Sequence, residues 1–129
     1  MKLFVSLLLL LTLGGCAAQV SDANTFRCIT MQEAADWMAR ETDYIILDVR
    51  TQEEFAAGHI PNAICIPNET IGSDMIPALP DKGQLILVYC RSGNRSKQAA
   101  SKLAKIGYTN IVEFGGILDW QGEIVTEAP

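Results

Sequence analysis

Leu85-Ile86-Leu87-Val88-Tyr89-Cys90-Arg91-Ser92-Gly93-Asn94-Arg95-Ser96 carries a strand, a loop and a helix start in one short run. Leu85 to Tyr89 is continuously apolar, the pattern of a strand buried on both faces of a parallel sheet. Arg91 to Arg95 is polar, and Gly93 and Asn94 both tolerate positive φ, so the loop can turn its amides inward. From Ser96 to Ile106 the pattern becomes helical: Ala99, Ala100, Leu103 and Ala104 share a face, and Gly107 follows the end. Ligands of parallel sheets bind outside the carboxyl ends of the strands. Cys90 stands at such an end, beneath the free N–H groups of a helix N-terminus, where anions are stabilised and a thiol ionises more easily.

The same alternation extends in both directions. Phe26 to Ile29 reads as a short strand. Thr30 and Glu33 have capping-box spacing and open a helix with Ala34, Trp37 and Met38 on one face. Tyr44 to Leu47 is a second buried strand, ending at Asp48-Val49-Arg50. Thr51 and Glu54 form another capping box for a short helix closed by Gly58. Ala63 to Ile66 is a further strand, stopped by Pro67. Residues 68–80 are irregular, with one helical turn expected at 71–76. Asn110 to Glu113 is the last strand, Gly115-Gly116 is expected to break the chain, and a final helical segment starts at Ile117 to Trp120. Strands alternating with amphipathic helices predict an α/β fold of three layers, α/β/α, around a central parallel sheet of about five strands.

At 129 residues the chain has room for one domain. Half of it is apolar and 19% is charged, which excludes a disordered polymer. Its 10 basic and 15 acidic residues give −5, too negative for a general nucleic-acid binder. Much of the apolar content sits at the start. Met1-Lys2 and the run from Leu3 to Leu13 resemble a secretory signal, too short for a permanent membrane helix. Leu13-Gly14-Gly15-Cys16 resembles a bacterial lipobox. The expected organisation is a lipoprotein signal peptide over residues 1–15, a lipidated Cys16 with a tether over 16–25, and one domain over 26–129. Without Lys2 the balance is 9 basic against 15 acidic, −6, so a lipid rather than charge would hold the exported chain to the cell envelope.

Four cysteines are present. With Cys16 lipidated, Cys28, Cys65 and Cys90 remain. Cys28 and Cys65 sit in apolar runs and read as small buried hydrophobes, or as a disulfide pair. No Cys-x-x-Cys or Cys/His cluster occurs, so neither a metal site nor a cofactor is expected. Arg50 and Glu54 have the spacing of a local ion pair. Trp37 and Trp120 read as core.

Four stretches together resemble a single-domain rhodanese, a sulfurtransferase: Leu47-Asp48-Val49-Arg50, Gly58-His59-Ile60-Pro61-Asn62-Ala63, Cys90-Arg91-Ser92-Gly93-Asn94-Arg95-Ser96, and Gly115-Gly116 with Trp120. The resemblance implies a persulfide on Cys90, with sulfur taken from thiosulfate or a similar small anionic donor and passed to a thiol or cyanide. It implies that the loop Arg91, Ser92, Gly93, Asn94, Arg95 and Ser96 binds the sulfur and its donor, Arg91 and Arg95 steering the sulfonate end. Asp48 and Arg50 are expected to support the loop, and His59 to be structural. A monomer is expected. Phosphatases on related folds use Cys-x5-Arg, whereas Cys90 to Arg95 is Cys-x4-Arg, a smaller ring suited to sulfur. A non-catalytic sulfur carrier with the same fold is the rival expectation.

Overall fold

A computed structural model describes residues 25–127. The expected signal segment, the Cys16 lipid site and all of the tether but Thr25 lie outside the described residues.

Five parallel strands form one sheet in the order β1-β5-β4-β2-β3: β1 Arg27–Cys28, β2 Tyr44–Asp48, β3 Ile64–Cys65, β4 Leu85–Cys90 and β5 Ile111–Gly116. The most apolar strand, β4, is central because only a central strand loses both edges and both faces to water. Helices cover both faces. Ala99, Ala100, Leu103 and Ala104 of α3 (Asn94–Ile106) pack on Leu47, Ile86 and Val88. On the other face Ala34 of α1 (Met31–Arg40) and Phe55 of α2 (Gln52–Ala57) pack with Ile46, Leu87, Tyr89 and Phe114. This is the expected three-layer α/β/α architecture.

Both expected capping boxes form. Thr30 Oγ1 accepts from Glu33 N at 3.1 Å while Glu33 Oε1 accepts from Thr30 N at 3.2 Å. Thr51 Oγ1 accepts from Glu54 N at 3.2 Å, and Glu54 Oε1 accepts from Thr51 N at 3.3 Å.

Several expectations change. The helical turn placed at 71–76 lies instead at Asn68–Thr70, as one 3-10 turn with Asn68 buried beneath it. Helix α3 begins at Asn94, because the turn into it is made by Gly93 alone. Gly115-Gly116 does not break the chain: β5 runs through it, with a register shift against β4 between Val88 and Cys90. The final helix is a single 3-10 turn, Ile117–Asp119, after which Val125 bridges to His59. Trp37 and Trp120 are half-buried, and Arg27 lies over the Trp37 ring at 5.4 Å. Cys28 and Cys65 stand on opposite edge strands, several strand spacings apart, far beyond disulfide reach. Cys28 is exposed rather than buried, since β1 is an edge strand of two residues.

Candidate active site

Cys90 closes β4 with no exposed surface, and its sulfur is enclosed by the following loop. Gly93 N–H donates to Cys90 Sγ at 3.0 Å, and Cys90 Sγ and Ser96 Oγ are hydrogen-bond partners 3.4 Å apart. Gly93 turns the chain at φ 108°, a left-handed conformation that glycine adopts without cost, and this aims its N–H back at the sulfur. Burial pushes the Cys90 thiol up. The Ser96 hydroxyl and the backbone N–H groups of Ser96, Gly93 and Ser92 outweigh it, and the thiol ends below its ordinary value of 9.0.

Three braces hold this loop. The first runs from the end of β2. Asp48, fully buried, accepts from Arg50 N at 2.9 Å, from Arg50 Nε at 3.0 and 3.1 Å, and from Arg50 Nη2 at 2.7 Å. Arg50 Nη2 also donates to the Gly58 carbonyl at 2.7 Å, and its guanidinium lies over the Tyr89 ring at 5.8 Å. Asp48 is the strand partner of Tyr89, which precedes Cys90. Burial first, then the neighbouring Asp48 carboxylate, push the Tyr89 hydroxyl up, so it stays a neutral group that accepts from Ile60 N at 3.1 Å. Asp48 and Arg50 thus support the strand end that presents Cys90.

The second brace comes from α2. Arg95 Nη1 and Nη2 donate to Glu54 Oε1 and Oε2 at 2.7 and 3.0 Å, a bidentate pair. Arg95 therefore faces α2. The expected local pair of Arg50 with Glu54 does not form, because Asp48 takes Arg50 and Arg95 takes Glu54. Arg91, Ser92, Asn94 and Lys97 are exposed around the mouth of the loop.

The third brace is β5. Gly116 lies flat under the peptide joining Arg91 and Ser92: a β-carbon there would stand 2.5 Å from Ser92 N and closer still to the Arg91 carbonyl. Leu118 N–H donates to the Arg91 carbonyl at 3.3 Å. Glu113, buried on the same strand, accepts from Ser96 Oγ at 2.6 Å and from Gly115 N at 2.9 Å. Glu113 carried no sequence signal for this place; its only mark was a charged residue inside a short apolar strand.

His59 stacks on Phe55 with ring centroids 3.7 Å apart, and its Nδ1 bonds the Phe55 carbonyl at 2.8 Å. It is structural, linking α2 to the chain after it. Cys65 is partly buried, and its thiol is pushed up to about 11, by burial first and then by Asp48.

The Rhodanese-like domain family matches residues 30–123, and the chain belongs to this family. It is 37% identical over 73 residues to the thiosulfate sulfurtransferase PspE of Escherichia coli, covering 57% of this chain and 70% of that one. It is 34% identical over 93 residues to a sulfurtransferase of Allochromatium vinosum, covering 71% and 85%. A rhodanese-like domain protein of Staphylococcus aureus superimposes with a TM-score of 0.66 at 31% identity, over 79% of this chain and 99% of that one.

Proposed function

We propose that the chain is a sulfurtransferase that carries sulfane sulfur on Cys90 and takes it from thiosulfate or a similar small anion. One observation carries the reading: a thiol at the end of the central strand, receiving an N–H at 3.0 Å and held below its ordinary pKa. The Cys90 thiolate attacks the outer sulfur of thiosulfate. A sulfur–sulfur bond forms to Cys90, the bond to the sulfonate sulfur breaks, and sulfite leaves with its electron pair. Cyanide or a thiolate then attacks the outer sulfur of the persulfide, releasing the product and restoring the Cys90 thiolate. Two exchange steps replace one direct transfer. Amides already aimed at the sulfur stabilise its charge without reorganising.

The donor's sulfonate is steered by charges free to meet it. With both Arg95 terminal nitrogens on Glu54, Arg91 and Lys97 fill that role at the mouth, and Arg95 fixes the loop's shape. Because the loop arginine faces α2, the site suits sulfur transfer better than phosphate hydrolysis. The signal-like segment from Leu3 to Cys16 supports a reading in which the chain is exported, carries lipid on Cys16 and works in the bacterial cell envelope.

The test is sulfur transfer from thiosulfate to cyanide, with mass spectrometry of the intact protein. Cys90→Ser should abolish turnover and the added sulfur mass, and retained turnover in that variant refutes the reading. Loading of Cys90 only when a donor protein is present would instead identify a carrier.

A further inference from the structure

A cleft adjoins the Cys90 loop on its β5 side. It encloses about 230 Å³ between the first turns of α1 and the chain that follows β5. Met31, Ala35 and Trp120 give it apolar surface, and Gln32, Asp119 and Gln121 give it polar edges. Helix α1 follows the carboxyl end of β1, and Trp120 follows that of β5, so the cleft lies at the same end of the parallel sheet as Cys90.

The cleft and the loop are joined by one short turn. Gly116 is the strand partner of Cys90, and the 3-10 turn Ile117–Asp119 leads from it to Trp120 in about 10 Å of chain. That turn is tied to the loop, because Leu118 N–H donates to the Arg91 carbonyl at 3.3 Å. The next residue, Asp119, already lines the cleft. Leu118 itself is 62% exposed, a large apolar side chain at the junction of the two.

The apolar wall is fixed in advance. Trp120 and Met31 rest on the core of the α1 face. Trp120 Nε1 donates to the Glu123 carbonyl at 3.0 Å, and Gly122 passes so near the indole that a β-carbon there would stand 2.6 Å from Cζ2. With its one N–H used, the indole offers a ligand apolar ring surface. Among the described residues lining the cleft none is basic, and Asp119 is acidic, so an anion gains nothing there. An apolar cavity of roughly 150 Å³ takes a benzene molecule, so the cleft has room for one ring.

We propose that this cleft is the acceptor subsite. It takes the uncharged, apolar body of a small thiol, about one aromatic ring in size, while the thiol sulfur reaches the Cys90 persulfide past Leu118. The proposal rests on the sulfurtransferase reading and assigns the two substrates to different places: the anionic donor to the amides and basic rim of the loop, the acceptor's body to the cleft. In the step it serves, the acceptor thiolate forms a bond to the outer persulfide sulfur. The bond from that sulfur to Cys90 breaks, and the electron pair leaves on the Cys90 thiolate. A body held beside the loop keeps the nucleophile at the mouth and raises its effective concentration. Cyanide has no body and gains none of this.

For the test, the full-length protein is loaded with thiosulfate and, in parallel, with inorganic polysulfide. Loss of the added sulfur from Cys90 is followed by intact-protein mass spectrometry. The acceptors are 2-phenylethanethiol, 2-mercaptoethanol and 2-mercaptoethanesulfonate, each efficiency being taken relative to cyanide in the same variant. The wild type should favour 2-phenylethanethiol over 2-mercaptoethanol by about ten-fold or more, through a lower half-saturating concentration, with the sulfonate weakest. Ala35→Gln narrows the cleft from α1 without adding charge and should bring that preference below about two-fold. Leu118→Ser keeps the backbone bond to Arg91 and should lower the preference by about three-fold. A folding defect slows every acceptor together and does not reproduce this change of ratio. Equal efficiency of the phenyl and hydroxyl thiols in the wild type, a preference for the sulfonate, or a phenyl preference that survives Ala35→Gln overturns the proposal. Loading by polysulfide but not by thiosulfate refutes the donor proposed above and leaves the acceptor comparison standing. A Cys90 that holds sulfur from neither source refutes both.

Discussion

Replacing Gly116 by alanine sets a methyl carbon 2.5 Å from Ser92 N and nearer still to the Arg91 carbonyl, both backbone atoms of the loop that holds the sulfur. Neither neighbour can swing aside as a side chain would. To recover a normal separation between unbonded heavy atoms, the Arg91–Ser92 peptide has to recede by about 1 Å or more. Gly93 N–H, one residue on, then leaves its 3.0 Å contact with Cys90 Sγ. A displacement of about 1 Å in a reacting geometry costs ~10²-fold in rate, and losing one donor of this kind costs ~10² to 10³-fold. Gly116→Ala is therefore expected to lower thiosulfate:cyanide turnover by about 10²-fold, or ~2.7 kcal/mol of barrier. Gly72→Ala is the matched control, with nothing within 4 Å of its would-be β-carbon. The assay is steady-state transfer to cyanide, with circular dichroism and thermal melting to show that each variant folds. A folded Gly116→Ala protein with turnover within a few-fold of Gly72→Ala refutes the view that β5 sets the loop's shape.

Asp48→Ala leaves the buried Arg50 guanidinium without its counter-charge, with the Gly58 carbonyl and the Tyr89 ring beside it, and should cost about 3–5 kcal/mol, lowering the melting temperature by more than ~10 °C in a domain of this size. Asp48→Ala with Arg50→Met should regain most of that loss, and a single-variant cost under ~1 kcal/mol contradicts the account. The Glu54 carboxyl is held by Arg95, against its own desolvation and with help from Thr51, at about 2 in place of 4.5. A depressed carboxyl stabilises the fold above its unfolded value and loses that effect as pH falls through its folded value. The wild type should thus melt slightly above Glu54→Gln at neutral pH, by under ~1 kcal/mol for this part-exposed pair, and the gap should close between pH 4.5 and about 2. Alkylation midpoints of the cysteines should separate, Cys90 below 9.0 and Cys65 at about 11, a reversed order being incompatible with the loop's hydrogen bonds to Cys90.

What the sequence showed was local. The capping boxes at Thr30 and Thr51 form because their partners lie three residues away, and the apolar run of β4 declares a central strand by composition alone. The Cys90 loop was legible for the same reason: thiol, glycine and helix start follow one another in the chain. Contacts across the sheet were not. Arg50 and Glu54 have good helical spacing, yet Arg50 turns back to Asp48, and Glu54 finds Arg95 forty-one residues on. Gly115-Gly116 looked like a break because glycine weakens strands in isolation. In the fold, the lack of a side chain at Gly116 lets two backbones touch. Glu113 was read only as the end of the last strand, and its burial against Ser96 depends on a contact seventeen residues away in the chain.

The three braces share one physical consequence. Asp48 with Arg50 fixes the strand end under Cys90, Glu54 clamps the far end of the loop through Arg95, and Gly116 supports its middle. Each is bought with a group that a stability-optimised core would avoid: a buried ion pair, an arginine committed to a carboxylate on another helix, a glycine in a strand. The loop has two exposed polar residues at its tip, Arg91 and Ser92, and few side chains of its own to pack. Left unbraced, its amides would have to be gathered around the sulfur during the reaction. Fixed from three elements, they already point where negative charge develops, and that advantage persists only while the site stays closed to bulk water. The complete burial of Cys90 meets that condition. For the small anionic donor proposed above, a few oriented hydrogen-bond donors at short range outweigh the net charge of an acidic domain spread over a distant surface.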